Sequence, residues 1–287
     1  MTPGDVICET PGGSVAVTGA GPIVPLIRHL APAWPIRWRD DAAPDATVTG
    51  RFDGENWWFD STSYDSPDYS FPTGLPAANG LVGALLGSML GLRPTWFTLH
   101  AAAVEIDDRL VLIAGANMAG KSTLATALAA GGHRLWSDDR VLIMPDDGGD
   151  GFQAVALGLA AKVRLPLPDD APAAYRHWIR DRRDLVGDGM MYLKTGAVDM
   201  AAAGQMTRPA RLLIPDRDPG RNDTGLAPLS AGQVVKHLVP ACYAPHMSPV
   251  ARLQMLARLA GTLDAAVLKY RDAFSLTADQ IISGEGG

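Results

Sequence analysis

The chain has 287 residues, 47% of them hydrophobic and 20% charged, which leaves ample material for a core and a length that fits one large or two modest domains. A formal net charge of −6, with no Lys/Arg cluster along the chain, argues against nucleic acid as a partner. Cys8 and Cys242 are far apart and form no C-x-x-C pair, Met1 to Thr10 lacks a basic start followed by an apolar stretch, and no apolar run reaches spanning length. These features exclude a disulfide framework and a zinc site, and they give the expectation of a cytoplasmic protein without a membrane contact.

Residues 1–92 read as a β-rich accessory unit. Thr47 to Phe52 and Asn56 to Asp60 alternate as strands do, and Asp53-Gly54 between them is a hairpin signal. Tyr64 to Pro72 is rich in turn formers, and Leu75 to Leu90 then reads as an apolar helix loosened by glycines and closed by Gly91 and Pro94. A second unit covers residues 93–287. It opens with Trp96 to Ile106 as one strand, a turn at Asp107-Asp108, and a short apolar strand ending at Ala114. His133 to Met144 is expected to be a strand pair interrupted by acids, and Asp146 to Gly151 a loop. Tyr175 to Arg183 reads as a charged helix and Ala210 to Pro215 as a core strand, while Ser230 and Ser248 precede apolar-periodic runs as N-caps do.

Between the strand ending at Ala114 and an apolar helical run lies Gly115-Ala116-Asn117-Met118-Ala119-Gly120-Lys121-Ser122-Thr123, which fits G-x-x-x-x-G-K-[ST] without a mismatch. Strand, glycine-rich loop and helix come in the order a phosphate site needs. The first amides of the helix have no partner inside it and point at the ligand together with the positive end of the helix dipole. Lys121 would reach the terminal phosphates, and the Ser122 hydroxyl would sit on Mg²⁺. The expected ligand class is therefore a nucleoside triphosphate with its magnesium ion.

This region resembles the HPr kinase/phosphorylase family, whose members phosphorylate a seryl hydroxyl. The resemblance is carried by Leu99-His100, by Gly115 to Ser122, and by Gly132-His133-Arg134-Leu135 followed by Ser137-Asp138-Asp139. His100 lies 15 residues before Gly115 and Asp139 lies 17 after Ser122, the intervals expected of the family. Ile214 to Asn222 looks like a second, weaker family fragment containing Arg217 and Arg221. Ala154 to Ala161 offers no carboxylate where the family has an acidic metal ligand, and residues 1–92 match nothing in it.

The resemblance implies an α/β fold: a P-loop kinase domain of the HPr-kinase/PEP-carboxykinase type, here with a small β-rich N-terminal unit. It implies transfer of the γ-phosphate to a hydroxyl, a Ser of a protein or peptide, with Asp139 as base, His100 orienting it, Lys121 and Arg221 meeting phosphate charge, and Ser122 with Asp138 on the metal. On the residues alone, alternatives stay open. The two aspartates could be a solvated turn, His100 a satisfied core histidine, and Arg217 and Arg221 part of a charged surface loop. Strand alternation predicts that Asp138 and Asp139 face opposite ways unless the strand ends there. His133, beside the helix end, is explained by the helix carbonyls. The alternative functions are a nucleotide-binding regulatory or scaffold protein without transfer, and a small-molecule hydroxyl kinase. Family members often assemble into oligomers, and no feature here fixes a number.

Overall fold

The computed structural model describes residues 5–38, 43–146, 148–196 and 198–282, and within these the chain is a mixed α/β protein of several sheets. Met1 to Gly4 and Asp147, on which two of the sequence expectations partly fall, lie outside the described residues. The first sheet uses β1 (Val6–Thr10), β2 (Gly13–Thr18), β3 (Ile36–Trp38), β4 (Ala46–Phe52), β5 (Asn56–Ser61) and β6 (Phe71–Pro72), in the order β3-β1-β2-β4-β5-β6. α1 (Val24–Leu30) and β3 lie between β2 and β4 in the chain, and these two strands pair in parallel. The β4–β5 hairpin turns at Asp53, whose carboxylate accepts the backbone N–H groups of Glu55 and Asn56 at 2.9 and 2.8 Å.

α2 (Leu75–Gly91) packs on this sheet and is buried along almost its whole length, as its lack of any charged residue requires. Its glycines do not loosen it. A β-carbon at Gly80 would lie 2.5 Å from the Phe71 ring, one at Gly87 2.3 Å from the Tyr64 ring, and one at Gly91 2.2 Å from the Ser63 carbonyl oxygen. The expectation of a slack helix is thus corrected: these positions are bare so that the segment 63–71 can lie directly on the helix.

The rest of the chain runs β7 (Phe97–Leu99), β8 (Ala101–Ile106), β9 (Arg109–Ala114), α3 (Lys121–Ala130), β10 (Arg134–Ser137), β11 (Val141–Pro145), β12 (Phe152–Val155), β13 (Ala161–Arg164), α4 (Ala173–Asp181), β14 (Arg183–Gly187) and β15 (Met190–Leu193). It continues with β16 (Met206–Thr207), β17 (Pro209–Arg217), β18 (Gly225–Pro228), α5 (Ala231–Leu238), β19 (Cys242–Tyr243), α6 (Pro249–Thr262), β20 (Asp264–Tyr270) and α7 (Ala278–Ile282). The central sheet has the order β10-β8-β9-β17-β20-β18, with β9, β17 and β20 parallel and the other pairs antiparallel. A second sheet has the order β16-β12-β11-β7-β19, and a third, small one β13-β15-β14.

Two expectations about these strands are corrected. Trp96 to Ile106 is not one strand: it breaks at His100, leaving β7 in one sheet and β8 in another. His133 to Met144 does form two strands, but β10 pairs with β8 and β11 with β7, not with each other. Both antiparallel segments therefore pass side by side from the central sheet to its neighbour, and they cross at His100 and at Asp138 to Arg140.

Helices α3, α4 and α7 share one core with the central sheet, which includes Leu124, Leu128, Tyr175, Ile179 and Ile281. Its other face packs with β7, β11 and β12 and with α5 and α6 through residues such as Phe97, Leu112, Leu238 and Leu256. The N-terminal sheet is not a separate body, because its core also takes in Leu142, Val155, Leu157 and Tyr192. Trp34 Nε1 donates to the Leu157 carbonyl at 2.7 Å, which ties the same two regions by a buried hydrogen bond.

Candidate active site

β9 is buried from Leu110 to Ala114 and delivers the glycine-rich loop at its carboxyl end. Gly120 takes the left-handed conformation, φ 87°, immediately before Lys121 opens α3, a turn that any β-carbon would strain. Met118 is the exception, a non-glycine residue with φ 67° at an exposed loop tip, where backbone strain is held by the loop around it. The Leu124 N–H bonds back to the Gly120 carbonyl at 2.9 Å, so the amides of Lys121, Ser122 and Thr123 precede the first intrahelical bond. Lys121 is buried, and its Nζ donates to the carbonyls of Gly115 and Ala116 at 3.1 and 3.0 Å. Burial lowers its pKa, against the opposing pull of Asp139 and Asp138.

α3 ends with the Gly132 N–H on the Ala129 carbonyl at 3.1 Å and the His133 N–H on the Leu128 carbonyl at 3.1 Å, with Gly132 at φ 101°. That pair of bonds is a Schellman ending, and it accounts for His133 through its backbone. The chain then returns along β10 toward the loop.

β10 stops at Ser137, so the expected opposition of the two aspartates does not arise: both line the same cleft. Asp138 is 3% exposed, and its Oδ2 accepts the Lys162 backbone N–H at 3.0 Å. Its Oδ1 is buried with no hydrogen-bond partner. Burial raises the Asp138 pKa to about 6, although the neighbouring Ser122 side chain and the Lys162 amide act to lower it. Asp139 differs. Its Oδ1 lies 3.1 Å from His100 Nδ1 and its Oδ2 accepts Lys162 Nζ at 3.1 Å. Burial works to raise its pKa too, but the His100 hydrogen bond and the Lys162 charge win and hold it below the usual carboxylate range. The Lys162 pKa is raised, because the charges of Asp139 and Asp138 outweigh its own burial. One residue thus grips both acids, by its backbone and by its ammonium.

These groups face a cleft of about 700 Å³, within the range of small-molecule sites. One wall is Asn117 to Thr123 with His100, Asp138 and Asp139. The rest of the lining comes from far away in the sequence: Pro76, Asn79, Val82, Gly83 and Leu86 of α2, Lys162 and Arg164 of β13, and Asp188 with Met190 and Tyr192 of β15 beside them. Asn79 Nδ2 donates to the Tyr192 hydroxyl at 2.8 Å and to the Leu75 carbonyl at 2.9 Å.

Of the residues singled out from sequence, the structure brings His100, Lys121, Ser122, Thr123, Asp138 and Asp139 together in the cleft, with Asn117, Met118, Ala119 and Gly120. Gly115 and Ala116 lie behind, turning their carbonyls to Lys121. Arg221 is not among the lining residues. Its guanidinium lies 3.5 Å from Asp216 and 3.8 Å from Asp223, which hold it on its own loop, and Arg217 is bonded to Asp170 at 2.5 Å. Sequence reasoning gave no position to the α2 residues, and Lys162 was one of three cations, with Arg164 and Lys194, that could stand in for an arginine of the resembled family and among which nothing in the sequence selects.

Magnesium fits this set in a specific sense. A buried, unpartnered carboxylate oxygen beside a serine hydroxyl suits a hard cation that takes few protein oxygens and completes its shell with water and phosphate. Among the described residues no group of three or more His, Cys, Asp or Glu gathers as an all-protein metal cage, and none of the helices is long and apolar enough to cross a membrane.

No protein-family model matches the chain, and no curated protein does. Among solved structures, the Hpr(Ser) kinase/phosphatase from Coxiella burnetii is similar over 61% of this chain and 85% of that chain, at 13% identity and a TM-score of 0.29. At that level the likeness bears no weight, and function has to be argued from the cleft itself.

Proposed function

We propose that this chain is an ATP-dependent phosphotransferase that moves the γ-phosphate to a hydroxyl, that of a serine in a protein or peptide, on a P-loop domain of the HPr-kinase type. The observation that carries the reading is the His100–Asp139–Lys162 cluster facing the phosphate loop in one cleft. A charged cluster of this kind, opposite a nucleotide loop and opening toward a separate wall, has room for both a phosphate donor and an acceptor.

Phosphoryl transfer runs through a loose transition state, so the work of the protein is alignment and charge stabilisation. The amides of Lys121, Ser122 and Thr123 and the Lys121 ammonium cradle the β- and γ-phosphates. Ser122 and Asp138 would hold Mg²⁺, which when bound would neutralise phosphate charge. The acceptor oxygen forms its bond to the γ-phosphorus as the bond from phosphorus to the ADP oxygen breaks, and the hydroxyl proton passes to Asp139. Because His100 and Lys162 hold Asp139 as a weak base, it takes the proton late, and its main role is to orient the hydroxyl beforehand. His100 is a positioning residue that fixes the carboxylate through Oδ1.

The test is intact-mass and metabolite mass spectrometry of native-host extract incubated with Mg²⁺-ATP and either the native protein or Asp139→Asn. A species that gains phosphate with the native protein alone is the expected result and identifies the acceptor. Equal transfer by Asp139→Asn would refute the assignment of the base. Tight ATP binding without any transfer would favour a regulatory nucleotide-binding protein.

A further inference from the structure

β13 buries Ala161 and Val163 and, by strand alternation, turns Lys162 and Arg164 to the other face, where both line the cleft. Lys162 is fixed at its base. Its backbone N–H is on Asp138 Oδ2 at 3.0 Å, and its strand pairs it with Tyr192 of β15. Among the described residues its ammonium makes one bond, to Asp139 Oδ2 at 3.1 Å. The other cations of the cleft are engaged or stand farther off. Lys121 Nζ donates to two carbonyls of its own loop, and the Arg140 guanidinium lies over the Tyr243 ring at 5.4 Å. Arg164 is two residues along the strand from Lys162, about 7 Å away.

The two oxygens of Asp139 are held from different sides, Oδ1 by His100 and Oδ2 by Lys162. The Lys162 side is that of the nucleotide loop, because its amide is on Asp138 and Asp138 lies beside the Ser122 side chain. A hydroxyl bonded to Oδ2 and poised for transfer stands about 3 Å from that oxygen and about 3–3.5 Å from the phosphorus it attacks. The Lys162 ammonium starts 3.1 Å from the same oxygen and sits on a flexible four-carbon stem. The equatorial oxygens of the phosphoryl group are then within its reach.

We infer that Lys162 is a catalytic residue: in the free protein its ammonium rests on Asp139, and when the donor phosphate enters it moves onto the phosphoryl oxygens, where charge spreads in the transition state. The inference rests on the phosphotransferase reading and adds a second cation to Lys121. One movement does two things. It brings positive charge to the transferring group, and it bares Oδ2 for the hydroxyl proton. The bond from the acceptor oxygen to phosphorus forms, the bond from phosphorus to the ADP oxygen breaks, the proton passes to Asp139 Oδ2, and Lys162 stays an ammonium throughout. Until the donor arrives, the cation and the carboxylate compensate each other, so neither is left unpaired in a partly buried site.

The experiment is calorimetric titration of the full chain with Mg²⁺-ADP, alone and together with aluminium fluoride, which supplies a mimic of the transferring phosphoryl group. The native protein is expected to bind the fluoride complex about tenfold or more tightly than Mg²⁺-ADP. Lys162→Met is expected to lose most of that gain while its affinity for Mg²⁺-ADP stays within about threefold, and Lys162→Arg to recover part of it. His100→Gln, which loosens Asp139 without removing this cation, is expected to keep the gain. Should Lys162→Met fail to fold, Lys162→Gln retains a donor for Asp139 and carries the same expectation. An undiminished gain in the Lys162 variant, or an equal loss in His100→Gln, overturns the inference, because Lys162 then acts only through Asp139. That result leaves the phosphotransferase reading standing, whereas a native protein that binds the fluoride complex no better than Mg²⁺-ADP sinks the reading and the inference together.

Discussion

The two walls of the cleft are built on opposite terms. The loop wall is charged, is drawn mostly from residues 115–139, and leaves polar atoms short of partners, as at Asp138 Oδ1. The α2 stripe, residues 76–86, is itself uncharged, with Asn79 bonded to Leu75 and Tyr192, and the charges beside it belong to Arg164 and Asp188 on neighbouring segments. A wall that leaves polar groups unsatisfied is prepared for a ligand that will satisfy them; a wall that is already satisfied can only select by shape and hydrophobicity. On the proposed reading, chemistry belongs to the first of these and the shape of the site to the second.

The sharpest way to break that division is at the loop wall. Asp139→Asn is expected to lower the rate of phosphate transfer by about a thousandfold with ATP affinity unchanged, within the range for loss of a positioned acid–base group, as single-turnover kinetics with labelled ATP would measure. Lys121→Ala should weaken nucleotide binding by about a hundredfold, which titration with a fluorescent ATP analogue would show. If either variant instead altered peptide preference and spared the phosphates, the two walls would not be independent.

Asp138→Asn sharpens the comparison through stability. Its pKa in the folded state, about 6, lies above the 3.8 of a free carboxyl, so between those values the folded protein holds a proton the unfolded chain has released. Stability of the metal-free protein therefore falls as pH rises through that window, by on the order of 2–3 kcal/mol in total. Asp138→Asn should remove this loss, raising the melting temperature at pH 8 and not at pH 4, while abolishing any stabilisation by Mg²⁺. Asp139, whose pKa is depressed, acts oppositely: its contribution is present above the free-carboxyl value and fades as pH falls below it.

The smallest effect expected is at the back of the α2 wall. Gly87→Ala drives a β-carbon into the Tyr64 ring and should cost about 1–3 kcal/mol by thermal denaturation, with catalysis at the loop wall little changed once the protein is folded. A variant that folds normally yet loses phosphate transfer would show that α2 reaches the chemistry directly.

How much of this was legible from sequence follows from range. The order of strand, glycine-rich loop and helix over residues 109–130 was readable because its parts are contiguous. His100 and Asp139 were found only through spacing shared with a known family, since a lone histidine and a pair of acids have bland readings of their own. Periodicity identified residues 97–106 and 134–144 as extended, but it says nothing about which strand each half pairs with, so the change of sheet at His100 was invisible. The α2 stripe reaches the cleft through tertiary packing, for which sequence carries no local mark, and the same packing selects Lys162 for Asp139 where sequence left it level with Arg164 and Lys194. Arg221 was named through a motif-like fragment, and its nearest charges are Asp216 and Asp223 of its own loop, at 3.5 and 3.8 Å.

The paired crossing of the two β segments has a mechanical consequence. His100 and Asp139 lie where both segments leave one sheet for the other, so their contact at 3.1 Å is a clasp across the seam between the two sheets. A side-chain pair set at such a seam is fixed by the pairing of four strands, β7, β8, β10 and β11, and its geometry is therefore a property of the scaffold more than of the loop beside it.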